Sequence, residues 1–422
     1  MGTTSRTRSC IRDRSVSKKF TVKGSKQICI PIDRQIYKEI WHDAGAVRRL
    51  VDKLIDKFPE IFPATIEHGY QLSGGLPESK KMPGIRLRQI RLNTGVYSLR
   101  PSFVMSYMSG DVEVLEPGLF LLSVNTPTWV VAHVCGYNEM FWHRHLERLG
   151  RNHLVGTTVP IARHLPVHLV ADEHHCDWVG EKGYVAFTAG EGCILGIALS
   201  ASADQDHLTE AYGVFATETR ELKPDYEPKT VNTDGWWATQ NAFKNLFSTI
   251  VPILCFLHGF LKIRDRGRKL RDLHQQVWDI YRAESKETFI QAMSDFKIWF
   301  DQGTWNNTVI EAVDKLCQRV GAYVLSYDHP DCHRTSNLVD RLMNRLTRYL
   351  YAGRGLHGHQ ASSELRLRGW ALLNNFRPFA PRSGSTRSFQ SPAHRLNCKK
   401  YHQHWLHNLQ VCSSCQGFRP PT

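Results

Sequence analysis

Pro166-Val-His-Leu-Val-Ala171 is an apolar, β-branched run that ends abruptly in Asp172-Glu173-His174-His175. Its length and composition are those of a buried strand, so it is expected to carry Asp172 to the strand's C-terminal edge. A second run, Lys229-Thr-Val-Asn-Thr-Asp234-Gly235, repeats the pattern and sets another acid 62 positions on. Further along come Cys255-x-x-His258 and, in Arg334-Thr-Ser-Asn-Leu-Val-Asp340, a third acid 106 positions beyond Asp234. Three carboxylates drawn together supply the oxygen ligands that hard divalent cations take. Two such ions about 3.5–4 Å apart are the arrangement that cleaves and joins phosphodiesters.

The bulk numbers permit this reading. A length of 422 residues suggests two or three domains and ample core, and 41% hydrophobic with 22% charged residues is ordinary for a globular chain. No apolar stretch reaches the roughly 18–20 residues of a membrane span, and no leader pattern is read at the start, so no membrane is expected. Eleven scattered cysteines give no disulfide framework, which fits a reducing cytoplasm. Charge is distributed unevenly. Residues 1–100 carry 20 Lys/Arg against 9 Asp/Glu, residues 341–422 carry 13 against 1, and residues 101–340 carry 21 against 30. Basic flanks around an acidic centre suit a chain that grips nucleic acid at its ends and metal at its middle. Basic tails that are merely solvated would look the same.

Taken in order, residues 1–28 read as a basic flexible arm, and 29–160 as an N-terminal DNA-binding region. Apolar positions from Gln35 to Phe58 recur at three and four, predicting an amphipathic helix. Ile85 to Leu92 alternates apolar with polar and Arg, predicting a strand with a basic outer face. Within 116–150, Pro127 stands just inside one helical run and Gly136 just past it, before Tyr137 to Gly150. Two helices joined by a short glycine turn make a helix-turn-helix, with Asn138, Glu139, His143 and Arg144 toward DNA; an ordinary helical hairpin gives the same pattern.

Residues 161–262 read β-β-β-α-β-α-β, the pattern of an RNase H-like mixed sheet with helices on both faces, in which the first and fourth strands lie side by side and present their acids together. Residues 263–330 hold three helical patterns, Leu270–Tyr281, Lys286–Phe300 and Asn307–Val320, and form an α-helical insertion. Arg264, Arg266, Arg268, Lys269 and Arg271 cluster at its entrance, suited equally to phosphates or to a solvated face. Residues 331–377 supply C-terminal core helices, with Asp340 on a helix from about Thr335 to Tyr351. Residues 378–422 read as a basic tail that opens on a Pro/Ser/Arg-rich extended stretch. Cys412-x-x-Cys415 offers one good pair for zinc, and Cys398, His402, His404 and His407 only an irregular partner set. Trp236 and Trp237 are expected to pack in the core, with a wedge into a strained duplex as the alternative.

The set Asp172, Asp234, Cys255-x-x-His258 and Asp340 resembles that of a bacterial insertion-sequence transposase of the DDE type, nearest the Mutator-like group with a Cys/Asp-x-x-His signature. In that group the third acid commonly stands in a Thr-Thr-Asn-x-x-Glu helix; here Thr335-Ser336-Asn337-Leu338-Val339-Asp340 matches, with Asp for Glu. Glu364, the sole acid after Asp340, is the alternative third ligand. The resemblance implies a DNA transposase that binds the ends of its element and cleaves and transfers strands. It implies two Mg²⁺ or Mn²⁺ ions on Asp172, Asp234 and Asp340, and His258 close to them. It further implies double-stranded DNA as partner, a homo-oligomer in the synaptic complex, and a nucleoid-associated place in a bacterial cytoplasm. The alternatives are a structure-selective nuclease on the same fold and a non-catalytic DNA-binding descendant of a transposase.

Overall fold

A computed structural model describes residues 27–381 and 389–415, the Cys415 side chain excepted. The basic arm therefore lies outside the described residues save for 27 and 28. The fold is mixed α/β, built on two sheets. The first comprises β1 (Gln27–Ile30), then, past helices α1 (Arg34–Ile40) and α2 (Ala44–Lys57), β2 (Gln71–Gly75), β3 (Arg88–Leu92) and β4 (Gly95–Pro101). Its order is β1-β4-β3-β2, with β1 parallel to β4 and the other pairs antiparallel. The single helix expected over Gln35–Phe58 is two, because Asp43 caps a new start by accepting from Gly45 N at 2.8 Å. Ile40 and Val47 are two turns apart, so the apolar register runs on across the break and hides it from sequence.

Four helices follow: α3 (Val112–Ser123), α4 (Thr128–Cys135), α5 (Glu139–Gly150) and α6 (Leu154–Thr158). The second sheet then takes β5 (His168–Trp178), β6 (Glu181–Gly190), β7 (Cys193–Ser200), α7 (Gln205–Leu222), β8 (Thr230–Thr233), α8 (Trp237–Leu246) and β9 (Val251–Leu254). Its order is β7-β6-β5-β8-β9; β6 is antiparallel to both neighbours, and β5, β8 and β9 are parallel. The element order read from the sequence is thus present. The expected strand Ile250–Leu257 is shorter, because Cys255 caps a helix, α9 (Phe256–Arg266). Then come α10 (Arg271–Tyr281), α11 (Lys286–Asp301), α12 (Asn307–Gln318) and α13 (Val320–Val324), followed by α14 (Asn337–Ala352), α15 (Gln360–Phe376), α16 (Pro392–Asn397) and α17 (Trp405–Cys415).

Three cores hold the described residues together. Leu169, Ala171 and Val231 on one face of the second sheet pack with Leu208, Phe215 and Phe243 of α7 and α8. The insertion has its own core of Leu273, Phe289, Phe296, Val313 and Tyr323, joined to the sheet through Leu254 and Phe256. The largest core joins the first sheet to the far face of the second: Ile30, Val51 and Leu99 share it with Val170, Phe187, Leu346, Trp370 and Leu409. Residues 29–160 are thus packed into the body of the chain. The stretch after 378 is more than a basic tail, since α17 lies along β1 and α6 and buries Leu406, Leu409 and Val411. Helix α5 is clamped to α15 by two glycines: a Cβ on Gly150 would strike the backbone of Leu365, and one on Gly369 that of Leu146. No helix among the described residues is long and apolar enough to cross a membrane.

Candidate active site

The sheet's register does the first work. Strands β5 and β8 pair His168 with Thr230, Leu169 with Val231 and Val170 with Asn232, an offset of 62. The same 62 positions separate Asp172 from Asp234, so the register carried two places further sets the two acids side by side. Strands β8 and β9 pair Thr233 with Leu254, and one place further Asp234 meets Cys255. Asp172, Asp234 and Cys255 therefore form one row at the C-terminal ends of the parallel strands, where open α/β sheets bind ligands. The expectation that Asp172 ends its strand needs correction. It lies mid-strand, because pairing with β6 carries β5 on to Trp178 after β8 has stopped at Thr233. The row sits in the notch this leaves.

Gly235 lets the chain turn out of β8. Its φ is +98°, and a Cβ there would lie 2.6 Å from Leu254 Cδ1 and 3.3 Å from Arg319 Nη1. The Asp234 carboxylate accepts from Trp236 N at 2.8 Å, which fixes its direction as the chain enters α8. Trp236 and Trp237 are 45% and 57% exposed rather than packed in the core. The turn faces them outward beside Asp234, and the Trp236 indole N–H donates to Ala203 O at 3.1 Å.

Asp340 reaches the row through Ser336. Ser336 N donates to Cys255 Sγ at 3.1 Å, its hydroxyl donates to Asp340 Oδ2 at 2.9 Å, and His258 Nδ1 lies 3.3 Å from that hydroxyl. Asp340 is in the first turn of α14, where the helix dipole favours an anion. The loop before α14 is tied to the sheet by Asn232, which donates to His333 O at 2.8 Å, and to the insertion by Arg334, stacked on Tyr281 and Tyr327. Sequence reading passed over Ser336, although it lies inside the Thr-Ser-Asn stretch.

The electrostatics follow from this crowding. Burial, then the charges of Asp234 and Glu173, push the Asp172 carboxyl up to about 7. His258 is pushed up to about 9 by its bond with Cys255, against burial, and by the charges of Asp340 and Asp234. Asp172 thus feels Asp234, and His258 feels Asp234 and Asp340, while the ligand oxygens of the three acids do not all fall within 4.8 Å of one another. Glu173, one residue on, points to the other face, where Thr239 and Tyr212 donate to it at 2.6 and 3.2 Å. His174 stands 3.4 Å from Thr347 Oγ1 of α14, and His175 is exposed against Tyr184.

No known family matches the chain, and no curated protein matches it.

The other residues singled out by sequence fall as follows. Glu364 lies on α15, takes a bond from Gln360 at 3.1 Å and feels Glu210 and the backbone of Leu199. That is the β7 edge of the sheet, two strands from Asp172. Asn138 caps α5, accepting from Phe141 N at 2.9 Å. His143 is half-buried and its pKa is lowered by burial, while Arg144 is exposed. Arg264, Arg266, Arg268 and Lys269 are exposed at the far end of α9, about 15 Å along the helix from Cys255. Nearer the row, Arg341, Arg345 and Arg348 follow Asp340 at helical spacing on α14. Arg345 and Arg377 are half-buried, and burial followed by the neighbouring cation weakens each one's hold on its proton. Among the described residues neither has a carboxylate at ion-pair distance. The spacing of four and three along α14 was the signal that would have found Arg341, Arg345 and Arg348.

Proposed function

We propose that this chain is a metal-dependent DNA transposase of the DDE/D type, cleaving and joining strands at the ends of its element. The observation that carries the reading is the register that sets Asp172 beside Asp234, with Asp340 tied into the same row through Ser336, Cys255 and His258. The order β7-β6-β5-β8-β9, with β6 alone reversed, is consistent with the order expected of an RNase H-like sheet and supports the reading.

The donor set fits hard divalent cations: three carboxylates, one of them with its proton held to about 7 partly by the crowding of negative charge that such a cation offsets. Asp172, Asp234 and Asp340 would hold two Mg²⁺ or Mn²⁺ ions, which when bound activate a water or a DNA 3′-hydroxyl and stabilise the leaving oxygen. His258, cationic at neutral pH and steadied at Nδ1 by Ser336, is placed to contact a phosphate oxygen. Trp236 and Trp237 offer faces on which an unpaired base beside the cut stacks. Arg341, Arg345, Arg348 and Arg377 give phosphates a basic path from the row along α14. Arg144 on α5 and the Arg264–Lys269 cluster are candidate duplex contacts, and joining two ends calls for a homo-oligomer.

The test is excision and joining of DNA flanked by the element's ends, comparing the parent with Asp234→Asn and Asp340→Asn in Mg²⁺ and in EDTA. Metal-dependent joining that both changes abolish supports the proposal. Cleavage without joining identifies a structure-selective nuclease, and DNA binding without metal-dependent cleavage in any variant identifies a non-catalytic descendant.

A further inference from the structure

We propose that Asp33, His402 and His407, with Glu113 beside them, form a second metal site for a transition-metal dication of the zinc class. It would staple the segment after β1 to the start of α17. One ligand atom from each of Asp33, His402 and His407 falls within 4.8 Å of the others, the one such set among the described residues. His402 Nε2 lies 2.9 Å from Asp33 Oδ1, His407 Nε2 lies 3.5 Å from Glu113 Oε1, and the two imidazoles stack 4.2 Å apart.

The support behind the imidazoles is what distinguishes this from a chance group of side chains. His407 Nδ1 is 3.0 Å from Ser102 Oγ, and that hydroxyl also donates to Ile32 O and accepts from Ile32 N. The far nitrogen of a metal-binding histidine is fixed in this way, which leaves the near nitrogen aimed at the site. His407 is 2% exposed, so the ring is held by its surroundings and not by solvent. Two imidazoles with one or two carboxylates select a borderline ion such as Zn²⁺ over Mg²⁺, which prefers oxygen alone. Ligand atoms around a tetrahedral zinc stand about 3.3 Å apart, so side-chain rotations close the set. Binding at His402 Nε2 shifts that ring's proton to Nδ1 and gives up the bond His402 now accepts from His404 N. Arg34, which pairs with Asp111 and lies 3.5 Å from Glu113, balances part of the carboxylate charge. Of the cysteines that suggested zinc in the sequence, Cys398 is exposed, Cys412 is buried in the largest core, and the Cys415 side chain lies outside the described residues.

The probe is Zn²⁺ bound to the full chain, with Co²⁺ replacing it for its visible absorption. Both are measured in an Asp172→Asn/Asp234→Asn background so that the acidic row does not contribute. The expected result is one tightly held Zn²⁺, a cobalt spectrum of nitrogen and oxygen ligands, and a midpoint of unfolding raised by Zn²⁺. His402 is partly exposed, so His402→Ala should fold while binding Zn²⁺ on the order of 100-fold more weakly and losing the zinc-dependent rise. Ser102→Ala should weaken binding about 10-fold through loss of the outer bond. Zinc binding that is undiminished in His402→Ala, or that vanishes in Cys412→Ser instead, overturns the proposal, as does a parent that retains no Zn²⁺.

Discussion

Replacing Asp172 by asparagine should stabilise the folded chain at neutral and alkaline pH even as it abolishes metal-dependent chemistry. The Asp172 carboxyl is raised from an ordinary 3.8 to about 7, first by burial and then by Asp234 and Glu173. Between those two values the folded chain holds a proton that the unfolded chain has released, so stability falls as pH rises through the window and is flat above it. A displacement of about three pH units corresponds to roughly 4 kcal/mol. Asp172 is only partly buried, and solvent screening reduces this to ~1–2 kcal/mol. Asparagine keeps the bond that Asp172 Oδ1 accepts from Glu173 N at 2.9 Å, so little else is lost. For a chain of this length, ~1–2 kcal/mol is about 1–2 °C in the unfolding midpoint. The assay is scanning calorimetry in EDTA at pH 4.5, 6 and 8. The variant's advantage should be near zero at the lowest pH and greatest at the highest. Saturating Mg²⁺ at pH 8 should reverse the order, because ligand at a hundred times its Kd adds about 2.7 kcal/mol to the parent alone. A variant destabilised equally at all three pH values, with no differential response to Mg²⁺, would refute the claim that crowded negative charge at this row awaits a cation.

Four further outcomes are expected. Gly235→Ala should cost about 1–3 kcal/mol in denaturant unfolding and most of the joining activity, since φ is +98° and the new methyl meets Leu254 at 2.6 Å; a variant as stable and active as the parent removes the turn from the site's design. His258 is protonated below about 9, so joining that depends on its charge should fall as pH rises through that value; His258→Gln should lower the rate and erase that alkaline limb, and an unchanged limb assigns it elsewhere. Arg345→Ala and Arg377→Ala should each lower the slope of log affinity against log salt for DNA by about 1, and Glu364→Gln should leave joining within twofold of the parent; a lethal Glu364→Gln moves the third ligand to α15.

Much of the second sheet was legible because its strands are apolar runs cut by charge, and its helices keep a 3.6-residue period. The three insertion helices fall within a few residues of their expected limits for the same reason. The acids were also legible as residues, and a spacing of 62 happens to be a register. The single expected helix over Gln35–Phe58 shows the limit. A cap at Asp43 splits it without disturbing the apolar period, and local capping chemistry is invisible to a pattern of apolar positions.

Sequence alone therefore determined the order of elements in the second sheet and the insertion, and the chemistry available: which acids follow apolar runs, and where cations crowd. Tertiary structure decided what each residue does. It carried β5 past Asp172, because β6 offered a partner where β8 did not. It set Glu364 against β7 and brought Ser336 under Cys255, Asp340 and His258. It joined Asp33 to His402 across 369 positions. The physical reason is that period and composition act over a few residues, whereas pairing register and helix docking are settled by contacts between segments distant in the chain. No local pattern encodes which distant segment will supply the partner.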